Sequence, residues 1–419
     1  MGPEQPNPTS GESGQFGPQV FVHRSPGKKL VICIVVLLLI LVGAGGFLWW
    51  QSSRNTVNAP APRGTAASTK ASSAQKVPDL RIEVVIEKRD HVWDVAFLPD
   101  KTMIFTERSG TLSAYRNGTV QTISKVSDVR AVGEGGLMGL AIDPEFVANK
   151  YIYTCLNTAS DIRVVRWTLS EDSRAIAGRT DIVTGIPSNP SGRHSGCRIS
   201  FGPDGYLWVG TGDTAQNKTP QTPQDPKSLG GKVLRVDRDG KGAKANLGGG
   251  FDPRIYSYGH RNTQGIAFFD KTIKGVPGIS VEHGSSVDDE VNPLKRGNFG
   301  WAPPDGAYDE SVPMTDKNRF PTAIEAIWKS GSPTQAPSGA ALLKGEQWKA
   351  WEGAIVVAML KGRHLKILLL DNKLRVQEEV RRLEGEFGRL RSATLGPDGA
   401  LYISTDNGDN DKILRITPR

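Results

Sequence analysis

The chain has 419 residues, of which 37% are hydrophobic and 23% charged, and its formal net charge is +8. This length allows one large core, because all-β domains often exceed the usual domain size of roughly 150 residues. The basic residues are spread along the chain and form no basic block interleaved with aromatic residues, which argues against a nucleic-acid-binding protein. A basic surface suits anionic polymers or an acidic redox partner, but a solvated surface of mixed charge is the simpler explanation.

An uncharged aliphatic run covers residues 30–48 and is followed by two tryptophans. It matches the roughly 20 residues that span a bilayer, with aromatic residues at the interface. We therefore predict a transmembrane helix over residues 30–50. Basic residues crowd its N-terminal end at Arg24, Lys28 and Lys29, which predicts a cytoplasmic N-terminus and an extracytoplasmic main domain. A cleaved signal peptide is the alternative, and the bulky residues at the end of the run disfavour it.

Two segments of low complexity flank the predicted helix. Residues 1–29 are rich in Pro, Gly and Ser, and residues 51–78 are rich in Ala, Pro, Ser and Thr. Such compositions cannot bury enough apolar surface to fold. We expect a disordered cytoplasmic tail and a flexible linker, respectively, with the folded domain over residues 79–419.

Three cysteines are present, and Cys33 lies in the predicted membrane segment. The other two, Cys155 and Cys197, belong to apolar strand patterns. An extracytoplasmic location permits a disulfide between them, but two buried free thiols fit the sequence equally well.

One pattern recurs from residue 78 onward: an alternating apolar strand, a turn of Pro, Asp and Gly, and further apolar strands. A period of two without a helical period between the copies indicates repeated β-sheets. Six such units begin near Val92, Leu137, Cys197, Gln264, Ser338 and Leu390. Six sheets of three or four strands predict an all-β fold, a six-bladed β-propeller.

Residues 80–87 form an apolar strand that has no hairpin partner of its own. We expect this strand to complete the last blade and to close the ring. Two stacked sandwich domains are the alternative architecture, which the absence of a linker within residues 79–419 disfavours.

The third unit contains a hairpin with a histidine in front of it. Apolar residues alternate on both sides of the Gly-Pro-Asp-Gly turn at residues 202–205. His194 precedes the first strand, next to small residues, and its position suggests an exposed side chain. A histidine there can serve as a general base or as a metal ligand, although a surface histidine without a function also fits.

In a propeller, the loops that enter the innermost strands meet at one end of the central channel. Polar residues stand at several of these entry points: Glu134, His194, His260, Arg261, Asn262, Arg389 and Arg391. Their recurrence at one structural position predicts a polar, cationic cavity that binds a ligand.

Several motifs follow one another in a characteristic order: GEGGLMGLAIDPEF, RHSGCRISFGPDGYLWVGTGD, YGHRNTQGIAF, PTQAPSG and GRLRSATLGPDGALYISTDNGDN. With these motifs the chain resembles the soluble sugar dehydrogenases that depend on pyrroloquinoline quinone (PQQ), over about residues 84–418. These are the glucose dehydrogenases and aldose sugar dehydrogenases. The resemblance implies a six-bladed propeller that oxidises the C1 hydroxyl of aldoses to lactones and passes the electrons to an external acceptor.

The resemblance also implies roles for individual residues. His194 matches the base that takes the proton of the C1 hydroxyl, and Arg261 matches a catalytic residue beside the quinone. The residues expected to bind the cofactor are Glu134, His194, Arg261, Asn262, Lys361, Arg389 and Arg391. The last three match the cations that hold the three carboxylates of PQQ.

Calcium is the second cofactor that the resemblance implies. Gly284 and Ser285 match the backbone carbonyls that bind the Ca²⁺ ion next to PQQ, because calcium prefers oxygen ligands. Glu290 and the carbonyl of Phe299 match a further structural Ca²⁺ site in related enzymes. An ordinary acidic turn at residues 288–290 is the alternative to this second site.

Three departures from the family pattern bear on the substrate. Arg193 stands where relatives have a smaller or acidic residue, Cys197 replaces a glycine, and Ser332 replaces a tryptophan that lines the sugar pocket of the glucose dehydrogenases. We expect a monomer that acts on an aldose, attached to a membrane by its single anchor helix. A glycan-binding propeller without activity and a Ca²⁺-dependent lactonase are the alternative functions.

Overall fold

A computed structural model of the chain describes residues 77–419. The tail, the anchor and all but the last two residues of the predicted linker lie outside the described residues. Within the described part, no helix is long and apolar enough to cross a membrane. The predicted all-β architecture is confirmed, because residues 77–419 form six sheets of four or five strands.

The strands of the first three blades follow in chain order. Blade 1 contains β2 (Val92–Phe97), β3 (Met103–Glu107), β4 (Thr111–Arg116) and β5 (Thr119–Lys125). Blade 2 contains β6 (Leu137–Ile142), β7 (Tyr151–Asn157), β8 (Ile162–Leu169) and β9 (Ile176–Ile186), with the short helix α1 (Phe146–Asn149) after β6. Blade 3 contains β10 (Arg198–Phe201), β11 (Leu207–Gly210), β12 (Lys232–Val236), β13 (Ile255–Tyr258) and the distant β17 (Gly297–Asn298).

The remaining blades contain the rest of the strands. Blade 4 contains β14 (Thr263–Ile273), β15 (Val276–Glu282), β16 (Glu290–Pro293) and β18 (Trp328–Lys329). Blade 5 contains β19 (Pro337–Leu342), β20 (Ile355–Met359), β21 (His364–Leu370) and β22 (Val376–Arg382), with a 3₁₀ helix (Glu346–Trp351) after β19. Blade 6 contains β23 (Leu390–Leu395), β24 (Leu401–Thr405), β25 (Asp411–Pro418) and β1 (Leu80–Arg89).

The innermost strands form a closed ring around the channel. They are β2, β6, β10, β14, β19 and β23, each in contact with its counterpart in the next blade, and β23 contacts β2. Each begins within one residue of the start predicted for its unit. Strand β1 pairs antiparallel with β25, with Leu80 opposite Pro418, so the predicted closure of the last blade by the N-terminal strand is confirmed.

The hydrophobic cores lie between neighbouring blades. Leu112 of blade 1 and Ile152 of blade 2 share one buried cluster, and Val164 of blade 2 packs in another with Ile199 and Val209 of the predicted hairpin. Each fully buried aliphatic side chain of this kind contributes roughly 1.5–3 kcal/mol. The alternating residues therefore fasten the blades to each other, which explains the absence of a domain boundary.

A disulfide joins two blades close to the predicted site. Cys155 of β7 is bonded to Cys197, which directly precedes β10. Both cysteines are fully buried. The structure thus selects the disulfide from the two alternatives that the sequence left open.

Candidate active site

Asp213 holds the ring of His194 in place. Nδ1 of His194 lies 2.7 Å from Oδ1 of Asp213, and both side chains are buried. The hairpin explains the contact, because Arg198 of β10 pairs with Gly210 of β11, so the residues beyond each end meet at the channel entry. The expectation of an exposed His194 is wrong: only 3% of the residue is exposed. A later loop covers the ring, and the Tyr308 hydroxyl lies 3.1 Å from Nδ1.

The surroundings of Asp213 keep its carboxyl ionised. Trp301 Nε1 and the Tyr308 hydroxyl donate to Oδ2 at 2.6 and 2.8 Å. Burial raises the pKa of the Asp213 carboxyl, but His194, Arg261 and the hydrogen bond from Trp301 together lower it below its ordinary value. An ionised carboxylate requires a proton on Nδ1 of His194, which leaves the lone pair on Nε2. The imidazole is therefore oriented as a proton acceptor.

Gly212 makes the close approach of these two segments possible. A Cβ atom at this position would lie 1.8 Å from the carbonyl oxygen of His194. Gly212 also forms an isolated bridge with Asn262, which connects blade 3 to the entry of blade 4. Only glycine allows the two backbones to come this close.

Glu134 connects the entry points of three blades. Its Oε1 accepts a hydrogen bond from the backbone N–H of His194 at 3.2 Å, and its Oε2 accepts one from Nδ2 of Asn262 at 2.8 Å. Burial raises the pKa of Glu134, but the nearby His194 and His283 and the bond from Asn262 lower it below its ordinary value. The structure thus brings together three of the residues expected to bind the cofactor.

Arg261 lies at the same entrance, buried and paired with an acidic residue. Its Nη2 donates to Oε1 of Glu310, and Arg193 donates to Oε2 of Glu310 at 2.5 Å. Its guanidinium also lies 5.6 Å from the ring centroid of Trp301. Glu310 therefore bridges two guanidinium groups next to the His194–Asp213 pair.

Arg391, which is also buried, forms a second cationic position. Its Nε and Nη2 donate to Oδ2 of Asp406 at 3.0 and 2.5 Å, and its Nη1 donates to Oε1 of Gln264 at 3.0 Å. Gln264 also lies within 3.3 Å of Asn262. Arg389 shares the same carboxylate, with its Nη2 4.0 Å from Asp406 Oδ2.

Lys361 is the predicted cofactor ligand that the structure leaves apart. Its side chain is exposed, and its Nζ donates to Oγ1 of Thr334 at 3.3 Å. No direct bond connects it to the other predicted ligands among residues 77–419. Lys361 is connected to them only indirectly. Gln335, which follows Thr334, donates its backbone N–H to Asp289. Asp289 in turn accepts the backbone N–H of Gly284.

His260, although it stands at an entry point, has a structural role. Its Nδ1 lies 2.9 Å from Oε1 of Glu282 and its Nε2 lies 2.8 Å from Oγ of Ser257. The ring stacks on Phe299 at a centroid distance of 4.4 Å. Both ring nitrogens are thus occupied, so His260 is not available as a base.

Buried polar atoms without hydrogen-bond partners gather at this end of the channel. In the described part of the chain they include Nε of Arg261, Nε2 of His283, Oγ of Ser285 and Oε1 of Gln335. An unpaired buried polar group costs about 1–3 kcal/mol. Burial lowers the pKa of His283 to about 4, so this ring is neutral and able to donate or accept one hydrogen bond on Nε2. The arrangement fits a polar ligand with several acceptor groups.

The turn after β15 contains Gly284 and Ser285, the two residues expected to bind calcium. A Cβ on Gly284 would lie 2.3 Å from the carbonyl oxygen of Val287, which shows how tightly the turn closes. Asp289 holds the turn from below, since its Oδ1 accepts the backbone N–H of Gly284 at 2.9 Å. Oxygen-rich turns of this kind fit Ca²⁺.

The predicted second calcium site contains a crowded pair of carboxylates. Nδ2 of Asn292 donates to both Glu282 and Glu290, at 2.6 and 3.2 Å. Burial, and then the charge of Glu282, raise the pKa of Glu290 to about 8. Lys329 Nζ lies 3.5 Å from Glu290 Oε1 and partly offsets this repulsion. The donor set fits a hard cation; the positions of the Phe299 carbonyl and of an ion stay predictions.

Several residues of the site were not identified from the sequence, among them Asp213, Tyr308, Glu310 and His283. Asp213 could have been found, because antiparallel pairing of the predicted hairpin brings it next to His194. Tyr308 and Glu310 lie in an irregular segment more than 100 residues after His194, where no periodicity indicates a function.

Comparisons with known proteins identify the family of the chain. Over residues 89–415 the chain matches the family described as Glucose / Sorbosone dehydrogenase. Aldose sugar dehydrogenase YliI of Escherichia coli is 30% identical over 358 residues, which cover 81% of this chain and 93% of that protein. Quinoprotein glucose dehydrogenase B of Acinetobacter calcoaceticus is 28% identical over 400 residues, which cover 74% of this chain and 82% of that protein.

A solved structure extends the comparison to the fold. The PQQ-bound form of aldose sugar dehydrogenase from Streptomyces coelicolor is 29% identical, with a TM-score of 0.66 over 82% of this chain and 100% of that chain. The family resemblance found in the sequence motifs is therefore confirmed. The chain belongs to the Glucose / Sorbosone dehydrogenase family.

Proposed function

We propose that the chain is a PQQ-dependent aldose dehydrogenase that oxidises the C1 hydroxyl of a sugar to a lactone. The observation that carries the proposal is the combination of an oriented base with two buried arginines. Nδ1 of His194 is bonded to the ionised Asp213, and Arg261 and Arg391 stand at the same end of the channel. The relatives named as quinoprotein or PQQ-bound dehydrogenases support this choice of cofactor.

The residues fit the charge of PQQ. Its three carboxylates require cations. Arg389 and Arg391 lie together at Asp406, whereas Lys361 is exposed and would have to reach the cofactor from its position beside Thr334. The unpaired Nε of Arg261 and Nε2 of His283 can donate to its carbonyl or carboxylate oxygens. When bound, PQQ supplies a quinone that accepts a hydride.

His194 performs the proton transfer in this proposal. With PQQ bound, the C1 hydroxyl would donate to Nε2, and His194 would accept its proton while the quinone supplies the hydride acceptor. The O–H and C–H bonds break, the C=O bond of the lactone forms, and the sugar loses two electrons. Asp213 stabilises the imidazolium that results, because its carboxylate keeps the bond to Nδ1 throughout.

Calcium is part of the same proposal. The turn that contains Gly284 and Ser285 would hold the ion beside the cofactor through backbone oxygens, supported by Asp289. A second ion, bound by Glu290 and the carbonyl of Phe299, would neutralise the carboxylate pair of Glu282 and Glu290. The ion at the turn would orient the cofactor, and the ion at the carboxylates would stabilise blade 4.

Location, assembly and electron acceptor are part of the proposal and rest on the sequence alone. We infer that residues 30–50 anchor the chain in a membrane, with a cytoplasmic N-terminus and the propeller outside. The domain acts as a monomer and passes electrons to an external quinone or redox protein. A glycan-binding propeller would not need a base oriented by an acid, and a lactonase would not need the arginines.

Reconstitution tests the proposal. The metal-free, cofactor-free protein is incubated with PQQ and Ca²⁺, and the reduction of an artificial electron acceptor is measured with a panel of aldoses. We expect activity that requires PQQ and yields a lactone. Tight binding of PQQ without turnover on any aldose would contradict the enzyme assignment, and failure to bind PQQ would contradict the cofactor.

A further inference from the structure

His91 is linked to the predicted cofactor ligand Arg391 through a single carboxylate. Nδ1 of His91 lies 2.5 Å from Oδ1 of Asp406. The other oxygen, Oδ2, accepts Nε and Nη2 of Arg391 at 3.0 and 2.5 Å. Asp406 and Arg391 are buried, whereas 24% of the His91 side chain is exposed. The chain of contacts thus runs from the surface to the interior of the channel.

The fold fixes His91 at the closure of the ring. The residue lies in the turn between β1, the outer strand of blade 6, and β2, the inner strand of blade 1. Its φ is +47°, a left-handed conformation, and its backbone N–H donates to Oδ2 of Asp411 at 3.0 Å. Two blades therefore determine where the imidazole points.

The group is a hydrogen-bonded link and not a metal site. His91, Asp406 and Asp411 lie close enough together to hold an ion. However, all four carboxylate oxygens already accept hydrogen bonds from protein donors. Within residues 77–419, Asp90 and Asp406 are the acidic groups that form ion pairs with the ring, and Asp90 is exposed.

We propose that His91 is a positioning residue that holds Arg391, through Asp406, in the orientation that binds a carboxylate of the cofactor. The inference rests on the proposed PQQ site. The mechanism is geometric: Oδ2 of Asp406 can hold Arg391 only while the carboxylate keeps its rotation, and His91 fixes that rotation through Oδ1. Arg389, 4.0 Å from Oδ2, competes for the same oxygen. Without His91, the Asp406 carboxylate turns toward Arg389, and Arg391 loses its two hydrogen bonds to Oδ2.

Two substitutions of His91 that are isosteric with each other separate the hydrogen bond to Asp406 from the backbone conformation of the turn. Asparagine and aspartate both tolerate a positive φ and match the position of Nδ1, but only asparagine can donate to Asp406. His91→Asn should therefore preserve the link, and His91→Asp should break it by placing two carboxylates together. His91→Gly keeps the backbone conformation and removes the donor.

The affinity for PQQ is measured by titrating the full-length, detergent-solubilised apoprotein with PQQ in the presence of Ca²⁺, following tryptophan fluorescence. We expect His91→Gly and His91→Asp to weaken binding by about 10-fold or more, and His91→Asn to stay within about threefold of wild type. Lys88→Gly is the matched control, because Lys88, near the end of β1, also has a positive φ of +61° and its side chain pairs with Glu87 and not with Asp406. This control should bind PQQ like wild type.

A double-mutant cycle adds a readout that a merely structural role would not change. In an Arg391→Gln background, His91→Gly should cause no further loss of affinity, since the positioned group is already absent. Equal losses in both backgrounds, or equal affinities for His91→Asn and His91→Asp, would overturn the inference. If the wild-type protein does not bind PQQ, both the proposed cofactor and this inference are wrong. If wild type binds PQQ and His91→Gly binds it equally well, only this inference is wrong.

Discussion

Oδ1 of Asp213 lies 2.7 Å from Nδ1 of His194, and neither side chain is accessible from outside the channel entrance. The carboxylate determines which ring nitrogen carries the proton. Asp213→Asn would offer an amide N–H to Nδ1 and favour the wrong tautomer. We expect kcat to fall by about 10²-fold to 10⁴-fold with little change in PQQ affinity. Steady-state kinetics and a PQQ titration of the same preparation check this; Asp237→Asn, in a distant surface turn, is the control.

Gly212 provides a test that leaves every catalytic side chain in place. Because a Cβ at this position would lie 1.8 Å from the His194 carbonyl oxygen, Gly212→Ala must displace the segment that contains the base. A displacement of about 1 Å can cost on the order of 10²-fold in rate. We expect a corresponding loss of kcat, measured at saturating PQQ. Gly248→Ala, where a Cβ meets no atom within 4 Å, should be as active as wild type; a fully active Gly212→Ala would show that the close approach is unimportant.

The buried carboxylates of blade 4 predict a pH-dependent stability. Burial and the charge of Glu282 raise the pKa of Glu290 to about 8, above its ordinary value of 4.5. The folded protein therefore binds this proton more tightly than the unfolded chain, and stability falls as the pH rises from about 4.5 through 8. We expect the Tm of the calcium-free protein to decrease over this range more steeply than that of Glu290→Gln.

Calcium bound at the same carboxylates should counteract the loss of stability at high pH. If the ion neutralises Glu282 and Glu290, it should raise Tm more at pH 8.5 than at pH 6, because it competes with the proton. Thermal unfolding with Ca²⁺ and with chelator measures both effects. A Ca²⁺-induced shift that is the same in Glu290→Gln as in wild type would place the ion elsewhere.

The Cys155–Cys197 disulfide closes a loop with a sequence separation of 42 residues. Loops of this size stabilise a protein by about 4 kcal/mol in the chain-entropy model. We expect the double variant Cys155→Ala, Cys197→Ala to unfold at a lower denaturant concentration than oxidised wild type. Wild type under strong reducing conditions should show the same decrease. Identical midpoints for oxidised and reduced wild type would contradict a stabilising role.

The architecture could be predicted because strands of period two repeat without helices between them. The six inner strands begin where the alternation does, and the N-terminal strand closes the last blade as expected. The outer strands of blade 4 were not predicted, since Glu290–Pro293 and Trp328–Lys329 are too short to show alternation. The disulfide depends on the angle between two blades, which no local pattern contains.

The site could be predicted only in part. Glu134, His194 and Asn262 meet because each stands at the entrance of an inner strand, a position that the fold makes equivalent. The burial of His194 could not be foreseen, since Trp301 and Tyr308 cover the Asp213 pair from a segment without regular structure. A distant irregular segment carries no periodic signal in the sequence.

Single-turnover reduction of the bound cofactor tests the central claim most directly. Holo-protein of wild type and of His194→Gln is mixed anaerobically with an aldose, and the absorbance of PQQ is followed by stopped flow. We expect equal PQQ affinity in both proteins but a reduction rate about 10²-fold to 10⁴-fold lower in His194→Gln, because the C1 proton has no acceptor. Reduction at the wild-type rate by His194→Gln would contradict the assignment of His194 as the base.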